Sequence, residues 1–275
     1  MQTTTDWISL WQDLVAINNR RRNQSFHKHQ RAPEFDQSVR VRWQKPDSSR
    51  EFFLKNLKPE STILDIGAGT GAWSILAAPL VCHVTAVEPD LEMTRVLREN
   101  LSNNQIDNVS IIEDFWPAAA VEPHDITLCA HSMYGVHDIV SFIKKMEQVT
   151  RETIFLLVRQ PTLDGAMAEA AQIIWGHPYD SPNFAILYNI LLQMGIYPNV
   201  LMEDSGLWKP WRNDSIAGAL EEMKNRLGLN GPEYDQVLME VLERRLTHDN
   251  GTVVWPSSIR SALIYWKPGS DNKAW

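Results

Sequence analysis

Cysteine is scarce in this chain: Cys82 and Cys129 are the only two in 275 residues, too few for a disulfide framework. Both lie in apolar, strand-like runs, so two buried thiols and a reducing cytoplasmic setting are the expectation. No apolar run approaches the ~18 residues of a membrane-crossing helix, and no membrane partner is expected. The opening segment Met1-Gln-Thr-Thr-Thr-Asp-Trp7 has no basic stretch leading into an apolar core, so secretion is not expected either. Internal repeats and low-complexity tracts are absent, which sets aside solenoids and disordered arrays. Positive charge is short overall: 26 Lys and Arg against 34 Asp and Glu leave a net −8, which argues against a general nucleic-acid binder.

That charge is distributed unevenly. Residues 1–60 hold 11 basic and 7 acidic side chains, 11 − 7 = +4, so the remainder carries 15 − 27 = −12. The basic part contains Arg20-Arg21-Arg22, Lys28, Arg31, Arg40 and Arg42. It reads as a solvated helix face, or as a lid meeting an anionic substrate group or RNA. Trp7, Ile8, Leu10, Trp11, Leu14, Val15 and Ile17 fall on one amphipathic helix over residues 3–18, an aromatic stripe of the kind that builds core. Pro46-Asp-Ser-Ser49 reads as a turn and cap before a helix from Arg50 to Leu57.

The most informative stretch is Thr62-Ile-Leu-Asp-Ile-Gly-Ala-Gly-Thr-Gly-Ala-Trp-Ser-Ile-Leu-Ala77. It reads as strand, glycine turn and helix, with Trp73, Ile75, Leu76 and Leu80 on the helix's buried side. Such a turn lets a ligand lie against backbone at a helix start, where unpaired N–H groups favour negative charge. The glycines alone also satisfy the relaxed dinucleotide pattern, Gly67-x-Gly69-x-x-Ala72. Asp65 separates the readings, because a carboxylate two residues before the first glycine repels a diphosphate and suits a ligand with an ammonium group. Leu64-Asp65-Ile66-Gly67-Ala68-Gly69-Thr70-Gly71 resembles motif I of the class I S-adenosylmethionine-dependent methyltransferases, a likeness that extends over roughly residues 60–160.

The resemblance implies S-adenosylmethionine as cofactor, with Asp65, Gly67, Ala68, Gly69 and Gly71 around its methionine part. Glu88, beside Pro89, follows Asp65 by 23 positions, near the ~20-residue offset at which an acid accepts from ribose hydroxyls. Asp114 matches the family position that accepts from the adenine amino group, with Phe115 or Trp116 covering the ring. Acids thus end three successive strands on one expected carboxyl edge. His131 and Tyr134, after the fourth strand, lie where the family's small-molecule members bring acceptor to sulfonium; they are the catalytic candidates, and His131 also a cofactor contact. Elements before motif I commonly cover the site in this family, which brings in His27 and Trp43. His131, His137 and Asp138 do not have the spacing of a recognised metal site, and no metal is expected. The chain has neither an Asn- or Asp-Pro-Pro-aromatic segment, the signature of base amino methylation, nor a Pro-Cys nucleophile.

Strands alternating with helices give an α/β class. The expected architecture is a Rossmann-like, doubly wound sheet of seven strands, parallel except for the last. Its expected divisions are an N-terminal helical lid over 1–57, the cofactor-binding core over 58–206, a helical cap insertion over 207–250, and the final strand and tail over 251–275. The insertion reads as helices Ile216–Leu227 and Tyr234–Leu246, a substrate cap. The leading expectation is methyl transfer to O, N, C or S of a small molecule, with anionic acceptors among the candidates. Alternatives are a non-catalytic S-adenosylmethionine-binding regulator, an enzyme acting on RNA or protein, and an NAD-linked oxidoreductase. A monomer and a homodimer fit the sequence equally.

Overall fold

Short apolar runs, each bounded by polar or glycine residues, become strands, and the periodic segments between them become helices. A computed structural model describes residues 5–24, 32–161, 165–203, 209–256 and 259–269. In chain order the elements are α1 (Trp7–Gln24), α2 (Ala32–Arg42), α3 (Ser48–Lys55), β1 (Thr62–Ile66), α4 (Ala72–Ala77), β2 (His83–Val87) and α5 (Leu91–Asn103). They continue with β3 (Val109–Ile112), β4 (His124–Ala130), α6 (Ile139–Gln148), β5 (Thr150–Pro161), α7 (Ala166–Trp175), α8 (Phe184–Gln193) and β6 (Asn199–Met202). The last are β7 (Arg212–Asn213), α9 (Ile216–Leu227), α10 (Asp235–Arg245), β8 (Thr247–Asp249), β9 (Thr252–Val254) and β10 (Ile259–Trp266).

The main sheet has seven strands in the order β3-β2-β1-β4-β5-β10-β6. β1 runs parallel to β2 and β4, β4 parallel to β5, and β10 antiparallel to β6, which is the expected Rossmann-like arrangement. From β1 the chain winds one way to β2 and β3, then returns to β4 on the other side. The strand order therefore reverses between β1 and β4, the crevice where open α/β sheets bind ligands. Register puts Asp65 opposite Ala86 on one neighbour and Leu128 on the other. Helical cover on both faces explains why β1 and β2 are buried beyond their first residue, with no polar alternation.

Two compact units make up the chain. One holds α2 to α6 and the seven-stranded sheet, with Ile63, Val84, Ile126 and Leu263 in its core and Phe53 set edge-on to Phe155 at 5.3 Å. The other holds α1, α7, α9, α10 and a three-stranded sheet ordered β7-β9-β8. There the alanine face of α7, Ala170 and Ala171, packs with Met223, Leu238 and Leu242, and Glu169 pairs with Arg244 and Arg245. Removing such a leucine from water is worth about 1.5–3 kcal/mol.

Several local expectations change. Cys82 is exposed, because it precedes β2, where its N–H bonds Ser61 O; only Cys129 is buried. Leu80 is 44% exposed: α4 stops at Ala77, a 3-10 turn through Pro79 follows, and the buried face of the helix is Ser74, Ala77 and Ala78. Trp73, Ile75 and Leu76 are half-buried. α3 starts two residues earlier than expected because Asp47 caps it, accepting from Arg50 N at 3.0 Å. The three-stranded sheet was not anticipated. Among the described residues no helix is long and apolar enough to cross a membrane.

Candidate functional site

The glycine turn joins β1 to α4, and neighbouring elements approach it closely. Gly67 has φ +70°, and a Cβ there would collide with the Ser132 side chain; at Gly71, φ +87°, it would collide with Leu97. Only glycine meets both demands. The turn is not the anion nest that its glycines suggest. Gly67 N and Ala68 N donate to Val87 O at 2.8 and 3.1 Å, Gly71 N to Ala68 O at 2.9 Å, and Gly69 N to Glu88 Oε2 at 2.8 Å. These four donors are already used within the protein, which corrects the expectation of unpaired N–H groups and agrees with the argument against a diphosphate. Thr70 differs: its Oγ1 is buried without a partner among the described residues.

Asp65 lies within β1 rather than at its tip, 2% exposed, with Oδ2 accepting from Ser74 Oγ at 2.7 Å. Burial raises its carboxyl to about 6, and the charge of Glu88 adds to the rise. Glu88 immediately follows β2 and is 8% exposed. One oxygen holds Gly69 and the other accepts from Asp90 N at 2.9 Å, so this side chain ties the second strand to the glycine turn. Burial raises its pKa, against those two bonds. Each carboxylate oxygen keeps a further lone pair for a ligand hydroxyl. Pro89 beside it is half-buried.

β3 stops at Ile112, two residues before Asp114. Asp114 is half-buried and accepts from Phe115 N at 2.7 Å. The open choice between Phe115 and Trp116 narrows here. Trp116 donates its Nε1–H to Phe142 O at 3.2 Å and sits edge-on to that ring, whereas Phe115 is 69% exposed. Leu91 is similarly bare at 67%, three residues after Glu88. Sequence reading passed over Leu91; a large apolar side chain at the first position of a helix, next to a strand-end acid, is the signal that could have found it.

At the end of β4, His131 adopts φ +57°, a left-handed conformation that costs a non-glycine residue energy and is held where surrounding contacts impose it. Its N–H bonds Leu157 O at 2.9 Å, and its Nδ1 lies 2.8 Å from Tyr134 Oη, with the rings near parallel. Ser132 Oγ donates to Ile66 O at 2.9 Å, which brings this loop against the glycine turn. Cys129 Sγ lies 2.9 Å from the same hydroxyl, and burial raises the thiol to about 12, so no thiolate nucleophile is available there. Asp138 caps α6, accepting from Ser141 N at 3.0 Å. Trp43 stacks edge-on with Trp73 at 5.2 Å beneath Arg50 and lines a groove of about 290 Å³ beside α4. His27, Lys28, Arg31 and the side chains of Arg21 and Arg22 lie outside the described residues.

The strand order and the glycine turn define a Rossmann-like fold of the methyltransferase kind. A family model described as a methyltransferase domain matches residues 35–187, and the chain belongs to that family, whose methyl donor is S-adenosylmethionine. Among curated proteins the chain is similar to the ribosomal protein L11 methyltransferase of Acetivibrio thermocellus, at 29% identity over 125 residues, 44% of this chain and 40% of that one. It is also similar to the ribosomal RNA small subunit methyltransferase A of Desulforapulum autotrophicum, at 34% identity over 70 residues, 25% of each chain. The matches span well under half the length of these relatives. Among solved structures, the YcgJ protein of Bacillus subtilis aligns with a TM-score of 0.55 at 15% identity, covering 80% of this chain and 97% of that one, a likeness of fold.

The residues present fit this cofactor. Thr70 Oγ1 is an unmet hydrogen-bonding group in the glycine turn among the described residues, and two exposed apolar side chains, Leu91 and Phe115, follow closely on the two acids expected at the nucleoside.

Proposed function

We propose that the protein transfers a methyl group from S-adenosylmethionine to a small-molecule acceptor and releases S-adenosylhomocysteine. The observation that carries this reading is the assembly around the glycine turn: Glu88 bonded to Gly69 on one side, the His131–Ser132 loop bonded to Ile66 on the other. When bound, the cofactor supplies an electrophilic methyl group on a sulfonium. The chain's part is to hold and orient. Glu88 accepts from the ribose hydroxyls, Asp114 from the adenine amino group, and Leu91 and Phe115 cover the base. Asp65 supplies negative charge near the ammonium group. His131 and Tyr134 face the acceptor as a hydrogen-bonded pair. If Nδ1 donates to Tyr134, the imidazole Nε2 is an acceptor able to take the proton that the nucleophile loses; the opposite tautomer makes it a donor that orients the acceptor. Positioning of the nucleophile in line with the methyl group supplies most of the rate in either case.

A second reading takes RNA or protein as acceptor. It is supported by the names of the two curated relatives and by the arginine-rich N-terminal segment. Incubating the protein with methyl-labelled S-adenosylmethionine and a cell lysate depleted of the donor separates the two. The expected result is label in a small molecule that passes a small-pore filter and separates from the donor by chromatography; label retained in RNA or protein alone would replace the first reading by the second.

A further inference from the structure

We propose that Asn100 and Asp36 are positioning residues for the cofactor: together they clasp α2 onto the glycine turn, so that docking of α2 and occupancy of the turn are coupled. The proposal rests on the reading that the cofactor lies against residues 67–71.

Asn100, in α5, is 5% exposed and its side-chain amide is fully used. Nδ2 donates to Asp36 Oδ1 at 2.9 Å and to Thr70 O at 3.0 Å, while Oδ1 accepts from Arg40 Nη2 at 2.8 Å. Both N–H groups and the carbonyl oxygen have partners, and because guanidinium only donates and carboxylate only accepts, the amide has one orientation that satisfies all three. Arg40 Nε donates to Asp36 Oδ2 at 2.6 Å, closing a ring of three side chains. The ring joins three elements that are distant in sequence: α2, α5 and the turn itself.

Two features make this more than packing. Thr70 sits between Gly69 and Gly71, and its carbonyl is held by Asn100 while its buried Oγ1 has no partner among the described residues. Fixing that carbonyl fixes the Thr70–Gly71 peptide plane, whose N–H donates to Ala68 O at 2.9 Å, and so holds the backbone that carries the unmet hydroxyl. Phe35, one residue before Asp36, brings its ring edge to 3.6 Å from where a Cβ would stand on Gly69. The clasp therefore also sets how close this ring comes to the turn. Beside the ring α2 is not filled in against its neighbours, since Asp36, Arg40 and Asn100 themselves line a groove of about 290 Å³ that continues past Val39 and Trp43 to Ile75 and Leu76 of α4. Directional attachment of α2 comes from the polar ring. Glu88 holds Gly69 from the other side, so a shift at either anchor moves the same three residues.

Calorimetric titration with S-adenosylhomocysteine, alongside melting temperatures, tests this in the wild type, Asp36→Ala, Asn100→Ala and the double variant. Each single change is expected to weaken affinity about tenfold, with the double variant within about twofold of Asn100→Ala alone, since both act through one clasp. Asp36→Asn, which keeps an acceptor for Asn100, is expected to retain most of the affinity. Ligand is expected to slow amide hydrogen exchange across residues 32–42 in the wild type and not in Asp36→Ala. Variants that melt lower but bind as tightly as the wild type would overturn the clasp and leave a structural role. If Asn100→Ala does not fold, Asp36→Ala alone decides. A wild type that does not bind would overturn the cofactor reading, and the clasp with it.

Discussion

Asp65 shows how one buried carboxyl sets a pH dependence. Burial raises it from its ordinary value of 3.8 to about 6, because the charged form loses its hydration. A raised pKa means that the folded state binds the proton more tightly than the unfolded state. The resulting stability is fully present below about pH 4 and is lost as pH rises through about 6. Asp65→Asn is neutral at every pH and keeps an oxygen to accept from Ser74. The melting temperature of Asp65→Asn relative to the wild type should therefore become more favourable from about pH 4 to about pH 7, read by calorimetry at both. A difference independent of pH would place the buried charge elsewhere. Asp47, also raised to about 6 by burial and by Glu203, titrates in the same window, so only the difference between the two proteins is diagnostic.

At the scale of elements, the start of α5 joins the second strand to the site. Asp90 caps the helix, accepting from Glu92 N and Met93 N at 2.8 and 3.1 Å, while its own N–H fixes Glu88. Asp90→Ala keeps that N–H and removes the cap, so it should cost about 1 kcal/mol in urea unfolding with little change in ligand affinity. A loss of affinity without a loss of stability would contradict that division of roles. α9 was legible in sequence to the residue, because twelve amphipathic positions are bracketed by the Ser215 cap and by Gly228 at φ +67°. β7, β8 and β9 were not, since strands of two or three residues leave no room for an alternating pattern, and only Val253 among them is buried. Leu80 was misplaced because Pro79 converts the last turn of α4 and rotates it to solvent. The acids at 65, 88 and 114 stand out in the sequence because each lies in or just after an apolar run, and the structure places Asp65 within β1 and Glu88 just past β2. The ring of Asp36, Arg40 and Asn100 could not, because it is made of ordinary surface-type residues some 60 positions apart.

For the whole molecule, the winding of the sheet explains why one short stretch organises so much. Reversal of strand order between β1 and β4 opens a crevice at their carboxyl ends, and the glycine turn, Glu88 and His131 all emerge at that edge. The residues that carry the family's motif therefore lie in the most regular part of the chain. No segment of the sequence carries a recognised substrate motif, so membership of the family implies the methyl donor and not the acceptor. The most direct test of the account is titration of S-adenosylhomocysteine into the wild type and Glu88→Ala by calorimetry. Saturable one-to-one binding is predicted for the wild type, weakened roughly tenfold or more in a folded Glu88→Ala. No heat of binding at roughly 500 µM ligand, or equal affinity in the two proteins, would contradict it.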